Sequence, residues 1–312
     1  MNVKRLLEIP KERLIKKLLG FDEIYTVALR SCENRKLYQG NVEKTFFPIE
    51  YSKKYWYADP LIFTWKGIDY LFVEEYDRKK AKGQIAFAVL DGKRKNLKFN
   101  TIINEPYHMS FPMVFEWKEK LLMIPETSEN RSINIYTAKN ISGEWELLNS
   151  IKTDQLLVDT IIVEKNDDYL LLLSSEVNPI NSLEVRYQKY KLFYRNLNEL
   201  IPEVEFNKCQ KFNLKDRNAG VLINEDNERI IPMQTSSSID YGVSLSFKKN
   251  LSFSCLDITA EDVKVEGLNK KNIIGIHTYS KGSRFEAIDV RYLRYDPAGQ
   301  YRKVFNVKKK LK

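Results

Sequence analysis

An all-β chain closed into a five-bladed β-propeller is the fold that the sequence predicts, on three observations. A strand–turn–strand motif recurs five times along the chain. The copies start about 48 to 60 residues apart, which is room for four strands each. Two strand-like segments, residues 24–30 and 44–50, precede the first copy, while the last copy has too little chain after it for a full blade. The last blade is therefore expected to be completed by strands from both chain ends. An open β-sandwich, which also has short strands at regular spacing, is the alternative.

The first segment reads as a helix. Pro10 suits a first helical turn, Leu14, Ile15, Leu18 and Leu19 share one face, and Gly20 supplies a stop. The other face carries Lys11, Arg13, Lys16 and Lys17, so the segment either packs its apolar face on the body or lies on an anionic membrane. From residue 22 onward the pattern is that of strands, rich in Ile, Val, Leu, Tyr and Phe and broken by polar clusters. The copies are YADPLIFTWKGIDYLFVEEYD (57–77), SFPMVFEWKEKLLMIPETSEN (110–130), LVDTIIVEKNDDYLLLLSSEV (157–177), NAGVLINEDNERIIPMQTSS (218–237) and IIGIHTYSKGSRFEAIDVRY (273–292). Each opens on small or acidic residues, then runs strand, polar turn, strand. Further strands at 84–90 and 98–103 fill out the first unit, and those at 132–137 and 145–151 the second. The expected division is a basic helical segment (1–21), the propeller (22–307) and a basic tail (308–312).

Composition excludes several classes. With 43% hydrophobic and 12% aromatic residues in 312, the chain is neither disordered nor of low complexity. The formal charge of +9 divides unevenly: residues 1–19 carry +4, residues 302–312 carry +6, and the body between them sums to −1. A neutral body with no nucleic-acid module argues against RNA or DNA as a partner. Cys32, Cys209 and Cys255 form no CxxC pair, which fits a reducing compartment. No apolar run has the length of a signal h-region or a membrane span. The expected location is cytoplasmic, with peripheral contact at the inner face of the membrane through the two basic ends.

In such a ring the leading ends of the innermost strands converge on one mouth of a central channel. Asp59 and Asp159 hold equivalent places in the first and third copies and are expected to face one another there. Glycosyl transfer needs carboxyls of this kind, one ionised as base or nucleophile and one protonated as acid. Asp59-Pro60 read alone is a turn starter. Glu126, at the end of the second copy's second strand, is the candidate proton donor, or else a surface turn acid beside Glu129. Both histidines, His108 and His277, fall in repeat openings, as ligand contacts or as satisfied core groups. Arg217 and Gln234 sit at the fourth copy's two corresponding positions. Arg217 is suited to clamp a phosphate or carboxylate, or to make an inter-blade ion pair. Tyr57, with Trp56 and Tyr107, is expected to stack on sugar faces or to pack between blades. There is no GxGxxG, P-loop, HExxH or GxSxG, and two histidines without a cysteine cluster make a protein-built zinc site improbable; no metal or cofactor is expected.

The runs YADPLIF…YLFVEEYD…KGQIAFA, EPYHMSFPMVFEW…LLMIPETSENRSINIYTA, VDTIIVEKNDDYLLL, RNAG…PMQ…DYG and GIHTYS resemble the domain found N-terminally in plant glucosamine inositolphosphorylceramide transferases. Similar domains stand alone or fused to other enzymes in bacterial surface-polysaccharide gene clusters. That domain is distantly similar to the five-bladed superfamily of arabinanases, fructosidases and related furanosidases. The resemblance implies Asp59 as base or nucleophile, Asp159 as orienting group and Glu126 as general acid. It also implies an Arg before Pro232 and an Asp after Gln234, where this chain has Ile231 and Thr235. In the plant protein the sugar-transfer chemistry belongs to a different, C-terminal domain.

The expected function is glycosyl transfer from an activated sugar donor to a lipid-linked glycan acceptor in surface-polysaccharide biosynthesis, with His108, Arg217 and His277 contacting the donor. Two alternatives stay open: a furanosidase-like hydrolase on the same carboxylates, and a non-catalytic glycan-binding module that assists a partner enzyme.

Overall fold

The structure, a computed structural model, describes residues 15–298 apart from 17, 33–34, 41, 50–53, 93–96, 179–184, 198, 200, 206–215, 226, 238–241 and 250–253. Five sheets, antiparallel apart from one short edge strand, follow one another as the five repeats require. The first holds Tyr55–Trp65, Ile68–Asp77, Lys82–Leu90 and Asn100–Ile103, and the second Ser110–Trp117, Lys120–Glu126, Ser132–Ala138 and Glu146–Lys152. The third holds Leu157–Lys165, Tyr169–Val177, Val185–Phe193 and Ile201–Glu205. In the fourth the inner strand is broken into Arg217–Asn218 and Ile223–Glu225, which both pair with Glu228–Thr235 before Ser244–Lys249 and Ser254–Thr259.

The fifth blade closes the ring as expected. Ile273–Lys281 and Phe285–Tyr295 are joined by Phe21–Ser31, which pairs with Phe285–Tyr295 along its whole length, and then by Thr45–Pro48. A short strand absent from the sequence reading, Lys264–Val265, adds itself in parallel to Thr45–Pro48. The helix expected over residues 11–19 is not shown, since most of it lies outside the described residues, as does the tail 308–312. Ile15, Leu18 and Leu19 are described and are 54%, 80% and 64% exposed, so these three do not bury an apolar face on the propeller. Among the described residues no helix is long and apolar enough to cross a membrane.

Apolar side chains fill the wedges between blades. Phe111, Ile135, Ile161 and Leu172 pack between the second and third blades, and Phe247, Ile258, Ile276 and Val290 between the fourth and fifth. The closure between the fifth and first blades has a polar clasp as well. Asp69, fully buried, accepts hydrogen bonds from Thr64 Oγ1 (2.6 Å), Ser283 N and Oγ (2.9 Å each) and Arg284 N (2.9 Å). Burial acts to raise its pKa, but the hydrogen bonds outweigh it and hold the carboxyl below its ordinary value. Its stabilisation is therefore present above the ordinary aspartate pKa and is lost as pH falls through the depressed folded value. Asp69→Ala strips one acceptor from four donors and should cost about 3 kcal/mol at neutral pH. Urea unfolding at two pH values checks this: the gap between variant and parent should shrink in acid.

Candidate functional site

Four of the five inner strands carry an irregularity at one repeated place. The ladder register slips between Ala58 and Leu61, Ser110 and Met113, Val158 and Ile161, and Ile276 and Tyr279. At the slip, Asp59, Phe111 and Asp159 adopt left-handed backbone (φ 48°, 45° and 49°). A non-glycine residue there costs on the order of 1–3 kcal/mol and persists where surrounding structure enforces it. A bulge re-aims its side chain. Here it turns Asp59 and Asp159 into a common cavity of about 530 Å³ on the channel axis.

Asp59 is the most elaborately held of these acids. Its Oδ1 accepts a hydrogen bond from Thr278 Oγ1 (2.9 Å), and its Oδ2 accepts one from the Phe111 amide of the second blade (3.3 Å). Its own amide donates to Asp289 Oδ2 (2.9 Å). His277 bridges the same pair: Nδ1 lies 2.6 Å from Asp289 Oδ2 and Nε2 lies 3.4 Å from Asp59 Oδ1. Burial opposes a charged His277, but Asp289 and Asp59 prevail and its pKa is raised. Burial likewise raises Asp59; His277 counteracts, while Asp289 and Asp159 add to the rise. The outcome is an aspartate raised chiefly by burial, with a His–Asp pair behind it whose two members act on it in opposite directions.

Asp159 and Glu126 share one cation. Arg217 Nε donates to Asp159 Oδ2 (2.7 Å), and Arg217 Nη2 stands 3.9 Å from Glu126 Oε2. Burial raises Asp159 to about 6 against the pull of Arg217. Burial also raises Glu126, opposed by Arg217 and by a hydrogen bond from Ser128 Oγ (2.8 Å). Asn218 Nδ2 fixes the strand, donating to the Asp159 carbonyl (2.7 Å). Asp159, Arg217 and Glu126 thus form an inter-blade unit facing Asp59 in the same cavity.

His108 and His277 both line the cavity, from the second and fifth blades. Tyr57 does not: its ring stacks on Phe99 (4.3 Å) and its hydroxyl donates to Glu75 (3.4 Å), within the wedge closing the ring. Successive strand residues point to opposite faces, so the neighbour Trp56 takes the cavity side and stacks on Tyr76 (4.2 Å). Tyr107 is engaged with Asn134 Nδ2 (2.7 Å) and Tyr136. Gln234 pairs in register with Arg217 but is buried beneath it, donating to the Asn218 carbonyl (3.4 Å), and does not line the cavity.

Several lining residues escaped the sequence reading: Glu23, Tyr25, Glu74, Tyr76 and Arg291. Glu74 carried a readable signal. It lies sixteen residues after Ala58, as Glu126 lies sixteen after Ser110, and each is the register partner of that residue. Asp289, an acid inside the apolar run AIDVRY, carried a weaker one.

Among the described residues, Asp59, His277 and Asp289 alone bring three candidate ligand atoms within 4.8 Å of one another. The 2.6 Å between His277 Nδ1 and Asp289 Oδ2 is a hydrogen-bond distance. Ligands about 2.0–2.2 Å from a tetrahedral cation sit about 3.3 Å apart. His277 and Asp289 are therefore a hydrogen-bonded pair beside Asp59 in this conformation.

Four likenesses to known proteins accompany this geometry. The family model described as "Glucosamine inositolphosphorylceramide transferase 1, N-terminal" matches residues 45–296. The Arabidopsis thaliana protein named glucosamine inositolphosphorylceramide transferase 1 is 30% identical over 116 residues, covering 37% of this chain and 15% of that protein. Its namesake from Oryza sativa subsp. indica is 26% identical over 140 residues, covering 43% and 19%. The match thus spans less than a fifth of either relative. Among solved structures, the catalytic domain of the Coprinopsis cinerea GH62 alpha-L-arabinofuranosidase superposes with a TM-score of 0.50 at 11% identity, over 75% of this chain and 90% of that one. At that identity the likeness is one of fold.

Proposed function

Because this chain belongs to the glucosamine inositolphosphorylceramide transferase 1, N-terminal family, we propose that its cavity is a carbohydrate site at which a glycosyl group passes from an activated donor to a glycan acceptor. The observation that carries the reading is the convergence of Asp59, Asp159 and Glu126, from three blades, on one cavity in which Arg217 joins two of them. A volume of about 530 Å³ suits one or a few sugar rings, within the ordinary range for small-ligand sites.

Asp59 is the base. Its raised pKa brings it nearer to neutrality, where a general base is most effective, and the Thr278 and Phe111 hydrogen bonds fix its two oxygens. An acceptor hydroxyl lying against Asp59 loses its proton to that carboxylate as its oxygen bonds to the anomeric carbon and the bond from that carbon to the donor's leaving group breaks. Asp159 and Glu126, tied to Arg217, face the positive charge that develops on the sugar ring in the transition state. The acceptor within this reading is a lipid-linked glycan of surface-glycan assembly.

Mass spectrometry of products tests it, after incubation with activated sugars and lipid-linked acceptors, beside Asp59→Asn. One added sugar is expected, with transfer reduced about 10²- to 10⁴-fold in the variant. Undiminished transfer by Asp59→Asn would remove Asp59 from the mechanism. Free sugar released in place of product would make water the acceptor and the chain a hydrolase. Binding without any product would leave a glycan-binding module.

A further inference from the structure

Glu74 sits in the wall of the cavity and is the counterpart, one blade earlier, of Glu126. The two differ in what surrounds them. Glu126 has a guanidinium and a hydroxyl donor, both of which favour its carboxylate form. Glu74 is buried at 5% exposure, and its Oε1 has no hydrogen-bond partner among the described residues. The nearby charged groups that act on it, Asp59, Glu126 and Asp289, are all acids.

One polar group approaches that oxygen. His108 Nε2 lies 3.5 Å from Glu74 Oε1. The Gly83 amide donates to His108 Nδ1 (3.0 Å), so Nδ1 is the lone-pair nitrogen and Nε2 bears the proton. Gly83 also makes the approach possible: a Cβ there would stand 2.6 Å from Glu74 Oε1 and 2.9 Å from His108 Cε1. The His108 side chain is 35% exposed and covers the buried carboxyl on its solvent side.

We propose that Glu74 is the proton donor of this site, with His108 as the group that positions it. This rests on the glycosyl-transfer reading and deepens it. As the bond from the anomeric carbon to the donor's leaving oxygen breaks, that oxygen takes the Glu74 proton and departs as a hydroxyl. As the acceptor oxygen bonds to the same carbon, its proton passes to Asp59. One proton is given and one taken, so the turnover is balanced, and exchange with solvent restores both groups. The electrostatics agree: burial first, then Asp59, Glu126 and Asp289, hold the Glu74 carboxyl well above the ordinary glutamate range. Glu126, held by Arg217, keeps to charge stabilisation.

Two measurements on the full chain test this. The first is activity-independent: difference infrared spectroscopy at neutral pH between wild type and Glu74→Gln. A protonated-carboxyl C=O stretch is expected in the wild type and absent from the variant. A wild type without that band overturns the assignment. The second compares donors with poor and good leaving groups, alkyl glycosides against 4-nitrophenyl glycosides of the same sugars. Glu74→Gln should lose about 10²- to 10⁴-fold with alkyl donors and little with nitrophenyl donors, which leave without protonation. His108→Gln should show a milder form of the same split. Equal losses on both donors in Glu74→Gln, or no loss, overturn the proposal, as does finding the split in Glu126→Gln instead. A wild type that transfers sugar from no donor, activated sugars included, sinks the transfer reading itself, while the infrared band still reports whether Glu74 is a neutral acid.

Discussion

A chain that begins at residue 45, where the family match begins, should not fold into a stable monomer. The match omits Phe21–Ser31, yet this strand is the third of the fifth blade and pairs with Phe285–Tyr295 along its full length. It buries Ile24 at 2% exposure and Val27 and Leu29 at 0%. At roughly 2 kcal/mol for each such side chain, its loss removes about 6 kcal/mol before any hydrogen bond is counted. That is comparable with the whole stability of an ordinary domain, about 5–15 kcal/mol. The cut also bares the edge of Phe285–Tyr295, an open template for self-association. Circular dichroism melts and size-exclusion chromatography check the expectation, with a chain starting at residue 20 as control. A cooperative, monomeric melt within a few degrees of the control would refute it.

The second large effect is expected from Arg217→Met, which keeps much of the side-chain volume and removes the charge. Asp159 and Glu126 are both buried and both lean on this guanidinium, so its loss leaves two carboxyls facing Asp59 without their cation. Breaking a buried pair in this way costs about 3–5 kcal/mol. The pH dependence identifies the cause. Asp159 is already raised to about 6, chiefly by burial, and without Arg217 its pKa must climb further. A carboxyl with a raised folded-state pKa contributes fully below its unfolded value and loses that contribution as pH rises through the folded one. The deficit of Arg217→Met should therefore be largest above about pH 7 and should narrow towards about pH 4, as the acids protonate. Denaturant melts across that range measure it. A deficit that does not vary with pH would assign the loss to packing alone.

Much of this molecule was legible because a propeller is a repeat. The five strand–turn–strand copies gave the blade count, and the shortage of chain after the fifth gave the closure through the N-terminal strand. Equivalence between copies also paired Asp59 with Asp159. These inferences hold because each blade must bury the same two faces against its neighbours, which imprints one hydrophobic pattern five times. The same logic, carried to second strands, pairs Glu74 with Glu126 at one offset in the first and second blades.

Other features depended on geometry that no pattern encodes. The sequence left Tyr57 open between sugar stacking and inter-blade packing; strand alternation turns it into the wedge and gives the cavity to Trp56. Gln234 occupies the expected repeat position and is buried beneath its register partner. Arg217 gained its role only when the broken inner strand of the fourth blade set it between Asp159 and Glu126, acids of two other blades. Asp289 and Thr278 became parts of the site only when ring closure brought the fifth blade against Asp59.

By itself, then, the sequence determined the ring, its closure and the shared position of Asp59 and Asp159 at the axis, because these follow from local periodicity and repetition. The tertiary structure alone decided how the carboxyls there are charged. Desolvation and the distance to Arg217, His277 and the other acids separate Asp59, Glu74, Glu126 and Asp159, and those quantities exist only once the blades have met.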